Sequence, residues 1–271
     1  MSKFKNKNHS FCYNFLMEKK LIEKYLDLFH EFYQKYQKQI GERVVGVMLS
    51  GGIDSSIIAY FTNLYFKNAL FFTLVFNEKN DDLFYSQILM KKLKKKLEPI
   101  FYQKEDVLKI KKIIVKILEK NKIDINPIQI ALASAFFLVC QKVKEKNINF
   151  LFTGQGPDVL LAGYHKYKNI DKKNLNEEIK KDLPLLEIDQ KRDRGVAYYF
   201  QIELVNPYLE KDFIAFSLKI PEKFKINTIR GELFEKYLSR KVGDFLKIPK
   251  EIIFRHKKAL QYSTKIIKNL T

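Results

Sequence analysis

The sequence predicts an α/β protein built on a doubly wound parallel sheet, with helical extensions at its N- and C-terminal ends. Two observations carry that prediction. Short apolar runs of strand length alternate with amphipathic segments of helix length, the pattern of right-handed β-α-β crossovers. The connection after the first run is Ser50-Gly51-Gly52-Ile53-Asp54-Ser55-Ser56, a glycine-rich turn that opens directly into an apolar helix.

From residue 14 to residue 40, apolar side chains recur near the helical period (Phe15, Leu16, Leu21, Ile22, Tyr25, Phe29, Phe32, Tyr33, Tyr36) with charges between them, so one or two core-packing helices are expected. A boundary near residue 40 separates this segment, 1–40, from the sheet-bearing domain expected over 41–271. Val44 to Leu49 reads as the first strand, and a helix follows the glycine turn to about residue 66. Ala69 to Phe76 reads as a second buried strand. Asp81 or Asp82 is expected to cap a helix running from Leu83 to Leu97. Glu98 to Tyr102 suggests a third strand. Helices over 105–120 and 127–146 precede Asn149 to Thr153, the fourth strand.

The glycine turn is an anion cradle. Two glycines let successive backbone N–H groups face one phosphate-sized ligand, and the helix start adds unpaired donors and the positive end of its dipole. Ser50, Ser55 and Ser56 supply hydroxyls, whereas Asp54 has the wrong sign for phosphate and is explained as a Mg²⁺ ligand beside it. The alternative, an ordinary strand-to-helix turn with Asp and Ser as caps, accounts for fewer of the specified positions. After the fourth strand, Thr153-Gly154-Gln155-Gly156-Pro157-Asp158 repeats the arrangement, and Asp158 is expected to share the metal with Asp54. In open parallel sheets ligands bind at the carboxyl ends of the strands, where both turns fall.

Composition narrows the classes. No run approaches the roughly 18 apolar residues of a membrane helix, and the first residues lack a signal-peptide core, so a cytoplasmic protein without a membrane partner is expected. Cys12 and Cys140 lie far apart and the histidines are at 9, 30, 165 and 256, which argues against a disulfide scaffold, an iron–sulfur cluster or a zinc site. The net charge of +19 would suit nucleic acid, but the excess is spread along the whole chain, mostly as Lys on helical faces. Nucleic acid is therefore a secondary expectation.

The string Ser-Gly-Gly-x-Asp-Ser-Ser at 50–56 resembles the pyrophosphate loop of the ATP pyrophosphatase superfamily. The later motifs narrow the resemblance to the synthetase domain of the asparagine synthetase family. Residues 153–164 are similar to its Ser-Gly-Glu-Gly-x-Asp-Glu and Gly-Gly-Tyr, and Arg192-Asp193-Arg194 through Glu203 to Glu210 to its Arg-Asp-Asp and Glu-x-Arg-x-Pro-Phe-Leu-Asp. Lys236 to Lys241 resembles its Lys-x-x-Leu-Arg helix, and Ile252 to Tyr262 its Arg-x-Lys-x-x-Phe-Gln-Tyr. The match runs from about residue 40 to 263. The resemblance implies the pyrophosphate-loop type of nucleotide fold and an ATP- and Mg²⁺-dependent ligase that adenylylates a carboxylate, aspartate being one candidate, and passes ammonia or an amine to it. Leu49, Leu74, Thr153 and Gly154 would border adenine and ribose. The loop from Ser50 to Ser56 would hold pyrophosphate, Asp54 and Asp158 the Mg²⁺, and Lys257 would face the α-phosphate.

Four departures qualify the resemblance. Ser2 stands where the amidotransferase members carry a Cys after Met1, so ammonia is expected from solution or from a separate glutaminase subunit. In the second motif Gln155 replaces the first Glu and Val159 the last, and Val205 replaces the Arg of Glu-x-Arg. Two other readings stay open: a tRNA-modifying member of the superfamily, which the charge favours, and a non-catalytic nucleotide-binding module, which Gln155 favours.

Overall fold

The computed structural model describes the backbone of residues 2–256 and of Ile266, with side chains from Asn14 onward, Lys172 apart. In chain order the elements are α1 Ser2–Ile40, β1 Val45–Met48, α2 Ile53–Tyr65, β2 Ala69–Val75, α3 Asp81–Leu93, β3 Leu97–Phe101, α4 Lys104–Lys120, α5 Pro127–Glu145 and β4 Phe150–Phe152. There follow α6 Pro157–Leu160, α7 Leu175–Tyr199, β5 Glu203–Val205, α8 Lys211–Lys219, β6 Ile226–Ile229, β7 Glu232–Glu235, α9 Tyr237–Phe245 and α10 Lys250–Ile253.

Five strands form one parallel sheet in the order β3-β2-β1-β4-β5. Chain order reverses between β1 and β4, so their carboxyl ends frame the crevice in which such sheets bind ligands. Alternate strand residues serve opposite faces. Val45, Val47, Phe71, Phe152 and Val205 pack into a core with α1, α2, α8 and α9, while Phe72, Leu74 and Leu151 pack into a second with α4, α5 and the end of α7. The doubly wound parallel sheet expected from the sequence is the architecture observed.

The N-terminal segment is one helix, α1. Its aromatic stripe is buried: Tyr33 stacks on Phe152 at 5.4 Å between ring centroids and donates its hydroxyl to the Ile58 carbonyl at 3.1 Å. Tyr25, Leu26, Leu28, Phe29, Phe32 and Tyr33 thus belong to the core on one face of the sheet.

Three local differences from the sequence reading have simple causes. Helix α3 is capped by Asn80, whose Oδ1 accepts from the Asp82 and Leu83 amides at 2.7 and 3.2 Å; Asp81 and Asp82 lie inside the first turn, suited to the helix dipole. It stops at Leu93 because Lys94 turns left-handed, which frees Leu97 to join β3. The edge strand β5 and the β6–β7 hairpin were not expected: β5 has three residues, too few to show a period, and the hairpin turns on Arg230-Gly231, both at positive φ.

Candidate active site

The loop after β1 is built as the sequence implies. Gly51 takes φ +61, and a Cβ there would lie 2.7 Å from Tyr85 Cβ, so both conformation and space require glycine. Gly52 caps α2, and Ser56 N closes the first helical turn on the Gly52 carbonyl. Ser55 Oγ donates to the Gly52 carbonyl at 3.1 Å and accepts from Ser50 N at 3.2 Å, with Ser50 Oγ 3.1 Å away. Two hydroxyls therefore stand together at the mouth of the helix. Ser56 is fully buried, and its hydroxyl has no hydrogen bond among the described residues.

The loop after β4 packs against this turn, where a Cβ on Gly154 would come within 3.0 Å of Ser55 N. Asn206, just beyond β5, donates to the Gln155 carbonyl at 3.0 Å and to Thr153 Oγ1 at 3.3 Å, tying that loop to the neighbouring strand end. The expected pair, Asp54 and Asp158, does converge, and a third side chain joins them. Lys236 Nζ lies 2.5 Å from Asp54 Oδ2 and 2.6 Å from Asp158 Oδ1. Burial alone would favour a neutral amine at Lys236, but the two carboxylates outweigh it and hold the ammonium above the ordinary Lys range. Lys236 itself takes left-handed φ +56, a costly conformation for an L-residue, as it enters α9. Its path crosses Gly163, where a Cβ would sit 2.1 Å from Lys236 Cε and 2.5 Å from Asp158 Oδ1.

The donor set suits a hard cation. Both carboxylates reach one ammonium, and Asp54 Oδ1 is buried without a hydrogen-bond partner among the described residues. One or two carboxylates completed by phosphate oxygens and water is how Mg²⁺ is commonly held beside a nucleotide.

A second ion pair braces the loop from behind. Arg255 donates to the Ser50 carbonyl at 2.8 Å and to Asp82 Oδ1 at 2.5 Å, and lies 4.4 Å from the centroid of the Tyr85 ring. Asp82, expected as a cap, is thus a buried partner of Arg255. Lys257 lies outside the described residues.

Leu49 and Leu74, expected at the adenine, are 2% and 4% exposed and pack into the cores on opposite faces of the sheet. Their side chains are committed to those cores.

Between the β4 loop, the start of α5 and the middle of α7 lies a cavity of about 350 Å³ that reaches Ser50, Ser55, Thr153, Gly154 and Asp158. Its wall carries Gln155, which hydrogen-bonds the buried Asp193 carboxyl. Burial pushes that carboxyl above its ordinary range, and Arg192 offsets the push only in part. Lys236, Gly163, Asn206 and Arg255 are the site residues that sequence reasoning did not single out, although all four fall inside the motifs that carry the family resemblance.

The asparagine synthase family model matches residues 35–201. The chain belongs to the asparagine synthase family. A putative glutamine-hydrolysing asparagine synthetase of Methanocaldococcus jannaschii is 28% identical over 194 residues, covering 68% of this chain and 34% of that protein. The root asparagine synthetase of Pisum sativum is 27% identical over 248 residues, covering 86% of this chain and 42% of that protein. The chain therefore spans about a third to two fifths of these asparagine synthetases. Among solved structures, the NMN synthetase of Francisella tularensis is similar with a TM-score of 0.42 at 12% identity, over 93% of this chain and 85% of that one.

Proposed function

We propose that this protein is an ATP-dependent ligase that activates a carboxylate as its acyl-adenylate and transfers ammonia or another amine to it. The observation that supports this most is the meeting of the Ser50–Ser56 loop, the α2 N-terminus and the two carboxylates Asp54 and Asp158 at the reversal point of the sheet.

The acceptor carboxylate attacks the α-phosphorus of ATP, the bond to the bridging oxygen breaks, and pyrophosphate leaves. Ammonia then attacks the acyl carbon, AMP leaves, and a proton passes to solvent. The loop amides and the hydroxyls of Ser50 and Ser55 would receive the pyrophosphate, and Thr153 and Gly154 would flank the nucleoside. Asp54 and Asp158 would hold Mg²⁺, which when bound neutralises the leaving pyrophosphate. Lys236, the ammonium between those carboxylates, and Arg255, on the Ser50 carbonyl, are described cations at the phosphate end. Lys257, proposed at the α-phosphate on its motif, would add preorganised positive charge of a kind typically worth about 10²–10³ in rate. Gln155 can orient a substrate but cannot take a proton, so proton removal falls to water or substrate.

The wider reading includes a cytoplasmic protein, an N-terminal helical segment over 1–40 with a nucleotide domain over 41–271, and nitrogen from free ammonia or a separate glutaminase subunit. ATP–pyrophosphate exchange across a panel of carboxylic acids and bulk tRNA tests it. Exchange triggered by an acid supports the ligase. Exchange triggered by tRNA alone supports the tRNA-modifying reading that the +19 charge favours. Nucleotide binding with no exchange supports the non-catalytic reading that Gln155 favours.

A further inference from the structure

We infer that the acceptor is a carboxylic acid with an apolar body and no second acidic group, and therefore not an amino-dicarboxylate such as aspartate. The inference rests on the ligase reading above and concerns the far end of the same cavity. One end of that cavity is polar and belongs to the phosphates, with Ser50, Ser55 and Asp158. The other end runs between α5 and α7. There Ile128, Leu185 and Ile188 are left 45%, 38% and 38% exposed, a large amount of uncovered aliphatic surface for residues that line a cavity.

Charge decides what may lie against that wall. Arg192 is the one cation among the described residues that line the cavity, and it is 2% exposed and already paired. Its Nη1 donates to Gln129 Oε1 at 2.9 Å and to Asp189 Oδ1 at 2.6 Å, while Nε and Nη2 hold Asp193 at 2.8 and 3.2 Å. Two carboxylates share this one guanidinium, so Arg192 has no charge to spare for a ligand. The side chain of Asp189 is 31% exposed at the wall. A second carboxylate on the acceptor would meet Asp189 without a free cation among the described residues that line the cavity, a repulsive position. An ammonium or amide group would be accepted there. Val205, which stands where the family pattern has Arg, is fully buried in the β5 face of the core and returns no charge to the site.

The test is ATP–pyrophosphate exchange with hexanoate, phenylacetate and leucine on one arm and succinate, aspartate and glutamate on the other. The expected result is an advantage of about tenfold or more for the apolar acids. Ile188→Arg, which places a cation at the wall, is expected to shift the preference toward the dicarboxylates by about tenfold. Leu185→Arg, one turn away, serves if that variant fails to fold. Equal or better exchange with aspartate, glutamate or succinate in the unaltered protein overturns the inference. If no acid supports exchange, the adenylylation reading fails on its own, and calorimetry with the same acids decides the pocket. Phenylacetate binding that Ile188→Arg weakens about tenfold sustains the inference; preference for a dicarboxylate, or binding of none, overturns it.

Discussion

Lys236→Met separates two roles that its position would combine, structural counter-ion and occupant of the proposed metal seat. The ammonium touches Asp54 Oδ2 and Asp158 Oδ1 at 2.5 and 2.6 Å, with Lys236 and Asp54 both 5% exposed or less. Removing one partner of a buried ion pair typically costs about 3–5 kcal/mol, because a charge is left without compensation. Asp158 is 39% exposed and its share is screened by water, so the lower end, about 3 kcal/mol, is expected here. The same substitution opens the seat to a cation. If Mg²⁺ then binds with a Kd of about 1 mM, about 10 mM Mg²⁺ restores roughly 1.4 kcal/mol by mass action. Urea unfolding of both proteins, with and without Mg²⁺ and without nucleotide, reads both terms. The unaltered protein should be nearly indifferent to Mg²⁺ until ATP is present, and the variant should regain one to two kcal/mol on the order of the value above. A variant that ignores Mg²⁺, or an unaltered protein that responds as strongly, would refute the argument that one seat serves both cations.

Gly163→Ala forces a Cβ to within 2.1 Å of Lys236 Cε, so it should cost about 1–3 kcal/mol by overpacking and weaken Mg-ATP binding; thermal unfolding and calorimetry check both, and a neutral variant would show that the Lys236 path has slack. Lys225 is fully buried on Asn176 Oδ1 at 2.6 Å, and burial brings its pKa down to about 8 from 10.5. The unfolded chain therefore holds that proton more tightly than the folded one between those two pH values, so its contribution to stability rises with pH across the window, by on the order of 3 kcal/mol in all. Lys225→Met should flatten that rise, and denaturation midpoints at pH 7.5 and 10 that keep the same difference would contradict it. Gln155→Glu sets a new carboxyl against the buried Asp193, so one of the two must hold a proton in the folded state. The cost should be absent near pH 4 and grow as pH rises above about 4.3, and aspartate-dependent exchange should not increase. An increase with aspartate would mean that Gln155 had merely impaired an asparagine synthetase. Tyr33→Phe removes the hydroxyl that reaches the Ile58 carbonyl and should cost about 1 kcal/mol, measured by chemical denaturation.

What could be read from the sequence, and what could not, follows from how local each determinant is. Strands β1, β2 and β4 lie inside the sheet, so their apolar runs and the helical periods between them carry the architecture, and the Ser50–Ser56 loop is legible because its backbone demands glycine at Gly51. Asp54 and Asp158 follow from the same locality: each sits in the first turn of the helix that follows a strand end, and adjacent parallel strands bring those ends together. Lys236 has no such local mark. It is one of 50 Lys and Arg residues and lies 182 positions from Asp54, and its role depends on α9 docking where α2 begins and on the missing side chain of Gly163. Arg255 is similar, since the carbonyl it steadies at Ser50 is 205 residues away. Both cations belong to the segment after β5: Lys236 bridges the two strand-end turns through Asp54 and Asp158, and Arg255 braces the first of them at Ser50. The anion cradle is therefore written in the first third of the chain, while the charges that hold it in shape come from the last fifth. That division predicts a dependence which the loop sequence alone does not contain: any change that loosens α9 or the Arg255 turn should weaken nucleotide binding even though every residue from Ser50 to Ser56 is intact.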